Sequence, residues 1–170
     1  MGQQSISLLV LVATMTGTAE ILAEDLEREF SDTVDFRIQL LEELEVGALE
    51  RESLALVVSS TYGTGDVPET AEPTLQALKD ARPDLGSLSY GIISLGDGTY
   101  VNTFARGGDN WDEALAACGA TRRGEVLKVD CLLVEDPLEA AKEWFGRWLA
   151  AVADPQAEGS AAHRAGGSPG

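Results

Sequence analysis

Thr14, Thr16 and Thr18 set three hydroxyls on alternate positions around Gly17, within Ala13-Thr14-Met15-Thr16-Gly17-Thr18-Ala19. An unbroken apolar run ends at Ala13 and a helical pattern begins at about Thr18, so the hydroxyls stand where a strand feeds a helix. The first backbone N–H groups of a helix have no partner inside it, and aligned peptide dipoles leave partial positive charge there. A phosphate fits such a place. Gly17 lets the backbone come close, and the threonines add donors. No Lys or Arg precedes Arg28. A nucleoside triphosphate loop would need Gly-Lys-Ser/Thr, and a dinucleotide fingerprint three glycines, so the segment predicts one phosphate held by neutral donors. An ordinary capped turn uses the same residue types. The loops that accompany the segment bear on that choice.

Two later loops each present a tyrosine among glycines. One reads Ser59-Ser60-Thr61-Tyr62-Gly63-Thr64-Gly65-Asp66-Val67-Pro68-Glu69, the other Ser94-Leu95-Gly96-Asp97-Gly98-Thr99-Tyr100. An aromatic ring on an exposed loop is poorly placed to be core. Two tyrosines facing each other across a gap would sandwich a flat ring, through stacking and burial, and keep water from it.

Hydrophobic patterning predicts the elements that position these loops. Residues 6–12 and 54–58 are nearly continuous apolar runs, the mark of strands covered on both faces. Val34, Phe36, Ile38 and Leu40 alternate with polar residues, as do Leu127, Val129 and Cys131, which predicts edge strands. Residues 90–95 supply a further apolar strand. Ala19, Leu22, Leu26 and Phe30 make one helical stripe; Leu75 and Leu78 begin another after Pro73, and Leu115 closes a third over 109–117. The last helix starts with Asp136, Pro137 and Glu139 at N-cap, N1 and N3, a capping-box arrangement. Its apolar face is Ala141, Phe145, Trp148, Leu149 and Val152, with Trp144 and Trp148 read as core. Alternating strand and helix predicts an α/β fold, a doubly wound five-stranded parallel sheet of order 2-1-3-4-5 in three layers. All three loops then leave the carboxyl ends of adjacent strands.

At 170 residues the chain is sized for one domain, placed over 1–152, with an Ala/Gly/Ser/Pro-rich tail over 153–170 expected to be disordered. The lone histidine, His163, falls in that tail, so a Ser-His-Asp triad or a His-bearing zinc site is not expected in the domain. A formal net charge of -17 disfavours nucleic acid and anionic membrane as partners and favours basic proteins. Cys118 and Cys131 lack metal-site spacing and read as reduced, packed thiols. No charged leader or membrane-length apolar run is present in the sequence, so a cytoplasmic location is expected.

With these motifs in order, the chain resembles a flavodoxin, most of all the short MioC-type flavodoxins and the FMN domains of diflavin reductases. Thr-Met-Thr-Gly-Thr-Ala at 14–19 is similar to the family phosphate loop, Thr-Tyr-Gly-Thr-Gly-Asp at 61–66 to the loop after strand three, and Leu-Gly-Asp-Gly-Thr-Tyr at 95–100 to the loop after strand four. The resemblance implies FMN, whose phosphate and flat ring match the two ends read above. It implies phosphate contacts from Thr14, Met15, Thr16, Gly17, Thr18 and Ala19. It implies ring contacts from Tyr62 and Tyr100, and a pyrimidine edge met by Asp97 and the backbone of Leu95 and Gly96. Ser60, Thr61, Thr64, Gly65 and Phe104 complete the implied set. Gly63 is placed where the family turns a peptide carbonyl toward flavin N5 in the semiquinone. One departure is visible: Thr103 stands where the family has an aromatic, with Phe104 one residue later, an insertion of one.

The implied role is a low-potential one-electron carrier between an NADPH-dependent, basic flavoprotein reductase of the ferredoxin/flavodoxin NADP reductase type and an iron–sulfur or haem enzyme, with biotin synthase suggested by the MioC likeness. An FMN-dependent NAD(P)H or quinone oxidoreductase, and a degenerate regulatory binding module, are the alternatives on the same fold. Asp66, Glu69, Asp97, Asp109, Asp112 and Glu113 are expected to ring the flavin.

Overall fold

Strands that are apolar on both faces need helices on both faces, and the chain supplies them in alternation. The computed structural model describes residues 6–14, 17–60, 68–96, 106–130 and 136–153. In it β1 (Ile6–Ala13), β2 (Val34–Leu40), β3 (Leu54–Ser60) and β4 (Ser89–Gly96) lie parallel in the order β2-β1-β3-β4. The helices are α1 (Thr18–Phe30), α2 (Glu72–Ala81), α3 (Arg106–Ala117) and α4 (Pro137–Ala153). Alternate strand residues face opposite ways. Leu9, Leu11, Val57, Tyr90 and Ile92 meet Leu75 and Leu78 of α2 and Trp111 and Leu115 of α3. Their neighbours Leu8, Val10, Val12, Val58, Ile93 and Leu95 meet Leu22 and Leu26 of α1 and Trp144, Phe145 and Trp148 of α4. Three layers result, with the strand order expected from patterning.

The fifth position departs from expectation because two short pieces fill it. β5 (Thr121–Arg122) pairs Ser89 and Tyr90, while β6 (Leu127–Asp130) pairs β4 from Ile93 to Gly96. Between the two ladders β4 has residues 91 and 92, whereas the edge chain has 123–126, so the edge carries a bulge of two extra residues. Gly124, at φ 75, turns the bulge. Helix α4 holds it: the Trp148 indole N–H donates to the Arg123 carbonyl at 3.0 Å and the Trp144 N–H to the Glu125 carbonyl at 3.1 Å. The two rings stack with centroids 5.6 Å apart. Both tryptophans are buried, as the helical spacing predicts. Cys131 lies outside the described residues.

Helix ends show where local chemistry overrides the simple pattern. Asp136 caps α4 through a bond from the Leu138 N–H to Oδ1 at 3.0 Å. Glu139, expected to complete a reciprocal box, instead accepts from Lys142 Nζ at 3.2 Å. Helix α3 starts at Arg106 rather than at Asp109. Helix α4 runs through Ala153, one residue into the predicted tail. The rest of the tail, including His163, lies outside the described residues.

Gly146 sits inside α4, and among the described residues nothing outside its own helix backbone lies within 4 Å of the place a Cβ would occupy. Gly146→Ala is therefore expected to stabilise the fold by about 0.5–1 kcal/mol. The check is a higher urea midpoint with unchanged slope; a lower midpoint would mean the position is not open.

Candidate cofactor site

Strands β1, β3 and β4 are consecutive in the sheet, and their carboxyl ends line up. Ala13 pairs with Ser59, Ser59 with Ser94, and Ser60 with Leu95. The three motif-bearing loops therefore begin side by side along one edge, where open α/β sheets bind ligands.

The turn expected to take a phosphate lies between β1 and α1. Gly17 is the N-cap of α1, held at φ 92, the left-handed region that favours glycine. Its N–H donates to Thr14 Oγ1 at 3.0 Å, tying the end of the strand to the start of the helix. A hydroxyl that accepts one bond still has its own hydrogen to give. The first intrahelical bond runs from the Ile21 N–H to the Gly17 carbonyl at 2.9 Å, so the N–H groups of residues 18–20 precede the ladder. Glycine brings no side chain to cap them, and among the described residues nothing beyond its chain neighbours lies within 4 Å of its missing Cβ. The Ala19 side chain is fully buried against the sheet, which leaves its backbone as the part that can meet a ligand. Neutral donors around an open cradle at a helix N-terminus fit a phosphate.

Among the residues expected at the ring end, Ser60 and Leu95 are buried and Gly96 ends β4. The Leu95 side chain belongs to the core, so any ligand contact there comes from its backbone. Met15, Thr16, Thr61, Tyr62, Gly63, Thr64, Gly65, Asp97, Tyr100 and Phe104 lie outside the described residues.

Two members of the expected acidic ring have basic partners among the described residues. Asp109 pairs with Lys128 Nζ at 3.0 Å. Asp112 accepts from the buried Tyr90 hydroxyl at 2.6 Å and pairs with Arg122, toward the amino end of β4. Burial and the bond to Asp112 push the Tyr90 phenol above its ordinary range. Both carboxylates thus have a basic partner on the edge of the sheet. Two cavities among the described residues also lie away from the loop edge. One of about 270 Å³ sits between the bulge and α4, beside Trp144 and Trp148, and one of about 300 Å³ lies at the amino ends of the strands.

Patterning missed the groups that tie α3 to the loop edge. The Gly108 N–H donates to Ser94 Oγ at 2.9 Å, and the Trp111 indole N–H donates to Ser59 Oγ at 3.1 Å. Both serines are fully buried. The available signal was a serine at the end of each of two apolar runs, where a small apolar residue would otherwise serve.

The topology defines a doubly wound α/β protein of strand order 2-1-3-4-5, a class that binds ligands along the edge where these three loops begin. Comparison with known proteins narrows this class. The family described as Flavodoxin matches residues 10–145. Protein MioC of Escherichia coli O157:H7 is 37% identical over 131 residues, covering 77% of this chain and 85% of that one. Flavodoxin YqcA of Escherichia coli K12 is 33% identical over 141 residues, 82% of this chain and 93% of that one. A solved cysteine-to-alanine mutant of flavodoxin from Pseudomonas aeruginosa superposes with a TM-score of 0.76 at 28% identity, covering 88% of this chain and 100% of that one. The chain belongs to the flavodoxin family, and that membership makes FMN its cofactor.

Proposed function

We propose that the protein is a one-electron carrier, loaded by an NADPH-dependent flavoprotein reductase and discharged by an iron–sulfur or haem enzyme, of which biotin synthase is the named candidate. The observation that carries this reading is the alignment of the β1, β3 and β4 ends beside the open Gly17 cradle. FMN supplies one- and two-electron redox chemistry when bound. The chain's part is to hold and tune it. Residues 14–19 take the phosphate, Tyr62 and Tyr100 cover the ring faces, and Asp97 with the 95–100 backbone meets the pyrimidine edge. Gly63 offers its carbonyl to N5, with Ser60, Thr61, Thr64, Gly65 and Phe104 shaping the surrounding loops. One FMN-binding domain over 1–152 performs all of this.

A net charge of -17 supports basic partners, because opposite charge steers encounter and raises the association rate. No helix of the described residues is long and apolar enough to cross a membrane. A cytoplasmic location accords with the proposed NADPH-linked donor.

The test mixes FMN-loaded protein with NADPH and a ferredoxin/flavodoxin NADP reductase. Reduction is expected only through the reductase, at a rate that falls steeply as added salt screens the charges. Rapid direct turnover of NADPH with a quinone, without the reductase, would overturn the carrier reading in favour of an oxidoreductase.

A further inference from the structure

The buried serines at the ends of β3 and β4 are neighbours in the sheet, Ser59 paired with Ser94, and both accept hydrogen bonds from the first two turns of α3. Their place in the chain gives these bonds a role beyond packing. Ser94 stands two residues before the end of β4, and Gly108 two residues after the start of α3. The Ser94–Gly108 bond therefore joins the two elements, β4 and α3, that flank residues 97–105 in the chain, Tyr100 among them. Ser59 stands next to the last residue of β3, from which the segment carrying Tyr62 departs, and its own hydroxyl donates to the Ser60 carbonyl at 3.0 Å.

The approach is close enough to exclude any larger residue. A Cβ on Gly108 would fall 2.6 Å from Ser94 Cβ and 2.8 Å from Ile92 Cγ2. Helix α3 thus lies directly on the two strand ends, with a glycine permitting contact and two hydroxyls fixing its position. Alanine at either serine would preserve the apolar contacts but leave a buried N–H without its acceptor, a costly change in a dry site.

We propose that Ser59 and Ser94 are positioning residues for the flavin: together they lock α3 to the sheet edge so that the two tyrosine-bearing segments depart from one fixed platform. The inference rests on the reading that these segments hold the isoalloxazine. A ring held between two loops is bound in proportion to how well the loops are preorganised, so loosening their common base weakens binding without removing a contact.

The experiment compares Ser59→Ala, Ser94→Ala, Tyr90→Phe and Tyr100→Ala by apoprotein thermal unfolding, FMN titration through flavin fluorescence quenching, and visible circular dichroism of the bound flavin. Tyr90→Phe is the control, since it removes another hydroxyl bond between β4 and α3, a part-buried one toward the opposite end of the strand. Ser94→Ala is expected to raise the FMN Kd by about tenfold and to change the flavin dichroism. Tyr90→Phe is expected to lower the unfolding temperature while leaving both flavin readouts near wild type. Equal Kd changes in Ser94→Ala and Tyr90→Phe at similar unfolding temperatures would reduce the serines to ordinary structural ties and overturn the inference. Weak binding by Tyr100→Ala with unchanged binding by both serine variants would also overturn it while sparing the flavin reading. Unchanged binding by Tyr100→Ala would overturn the flavin reading itself. If Ser94→Ala does not fold, Ser94→Cys, which keeps a weak acceptor, and Ser59→Ala carry the same comparison.

Discussion

Gly17→Val is expected to weaken FMN binding by about a hundredfold or more while the apoprotein still folds. The substitution acts twice. At φ 92 an L-residue bears a backbone cost of about 1–2 kcal/mol, greater for a branched side chain. The valine also adds a branched side chain at the turn that begins α1, where no atom of the described residues beyond the chain neighbours lies within 4 Å of a Cβ. Loss of two phosphate-directed N–H bonds at about 1.5 kcal/mol each accounts for the hundredfold effect. Gly17→Asn separates the two causes, because asparagine tolerates the left-handed region. Its apoprotein should unfold near the wild-type temperature while its FMN affinity, by isothermal titration, still falls. Wild-type affinity in Gly17→Asn would mean that the turn does not receive the phosphate.

Gly91→Ala is expected to destabilise the fold strongly. The new Cβ would lie 2.5 Å from Trp148 Nε1 and 2.6 Å from Cε2. That ring cannot retreat freely, since it is buried, stacked on Trp144 and bonded to the Arg123 carbonyl. Overpacking of this kind costs about 1–3 kcal/mol, and loss of the bulge bond adds about 1 kcal/mol. For a chain of this size the unfolding temperature then drops by roughly 5–15 °C. Combining Gly91→Ala with Trp148→Leu should cost less than the sum of the two single changes, as expected for a steric conflict that the smaller side chain relieves. Strict additivity would show that the alanine is accommodated by other means.

Continuous apolar runs at residues 6–12 and 54–58 made β1 and β3 legible as covered central strands, and alternation at Val34 and Phe36 marked β2 as an edge. Asp136 and Pro137 announced α4 with the correct starting residue. Features that depend on contacts between distant parts of the chain were not legible. Nothing local in residues 121–130 reveals that the edge strand breaks, because the break is stabilised by two indole N–H groups 19 and 25 residues away. Gly91 likewise reads as a weak strand residue until Trp148 is seen against it. Helix α3 begins earlier than its apolar stripe because Ser94 receives the Gly108 N–H, a bond across 14 residues. The turn between β1 and α1 was readable from Thr14 and Gly17 because it is made within a few consecutive residues. The pairing of Asp109 and Asp112 with cations was not, since Lys128 and Arg122 come from the far edge of the sheet.

Stepwise anaerobic reduction of the FMN-loaded protein, followed by visible absorption, tests the central claim most directly. A one-electron carrier is expected to start from flavin bands at about 375 and 450 nm and to accumulate a long-wavelength band at about 580 nm at half reduction. Direct passage to the two-electron-reduced form, with no long-wavelength band at any stage, would contradict the account.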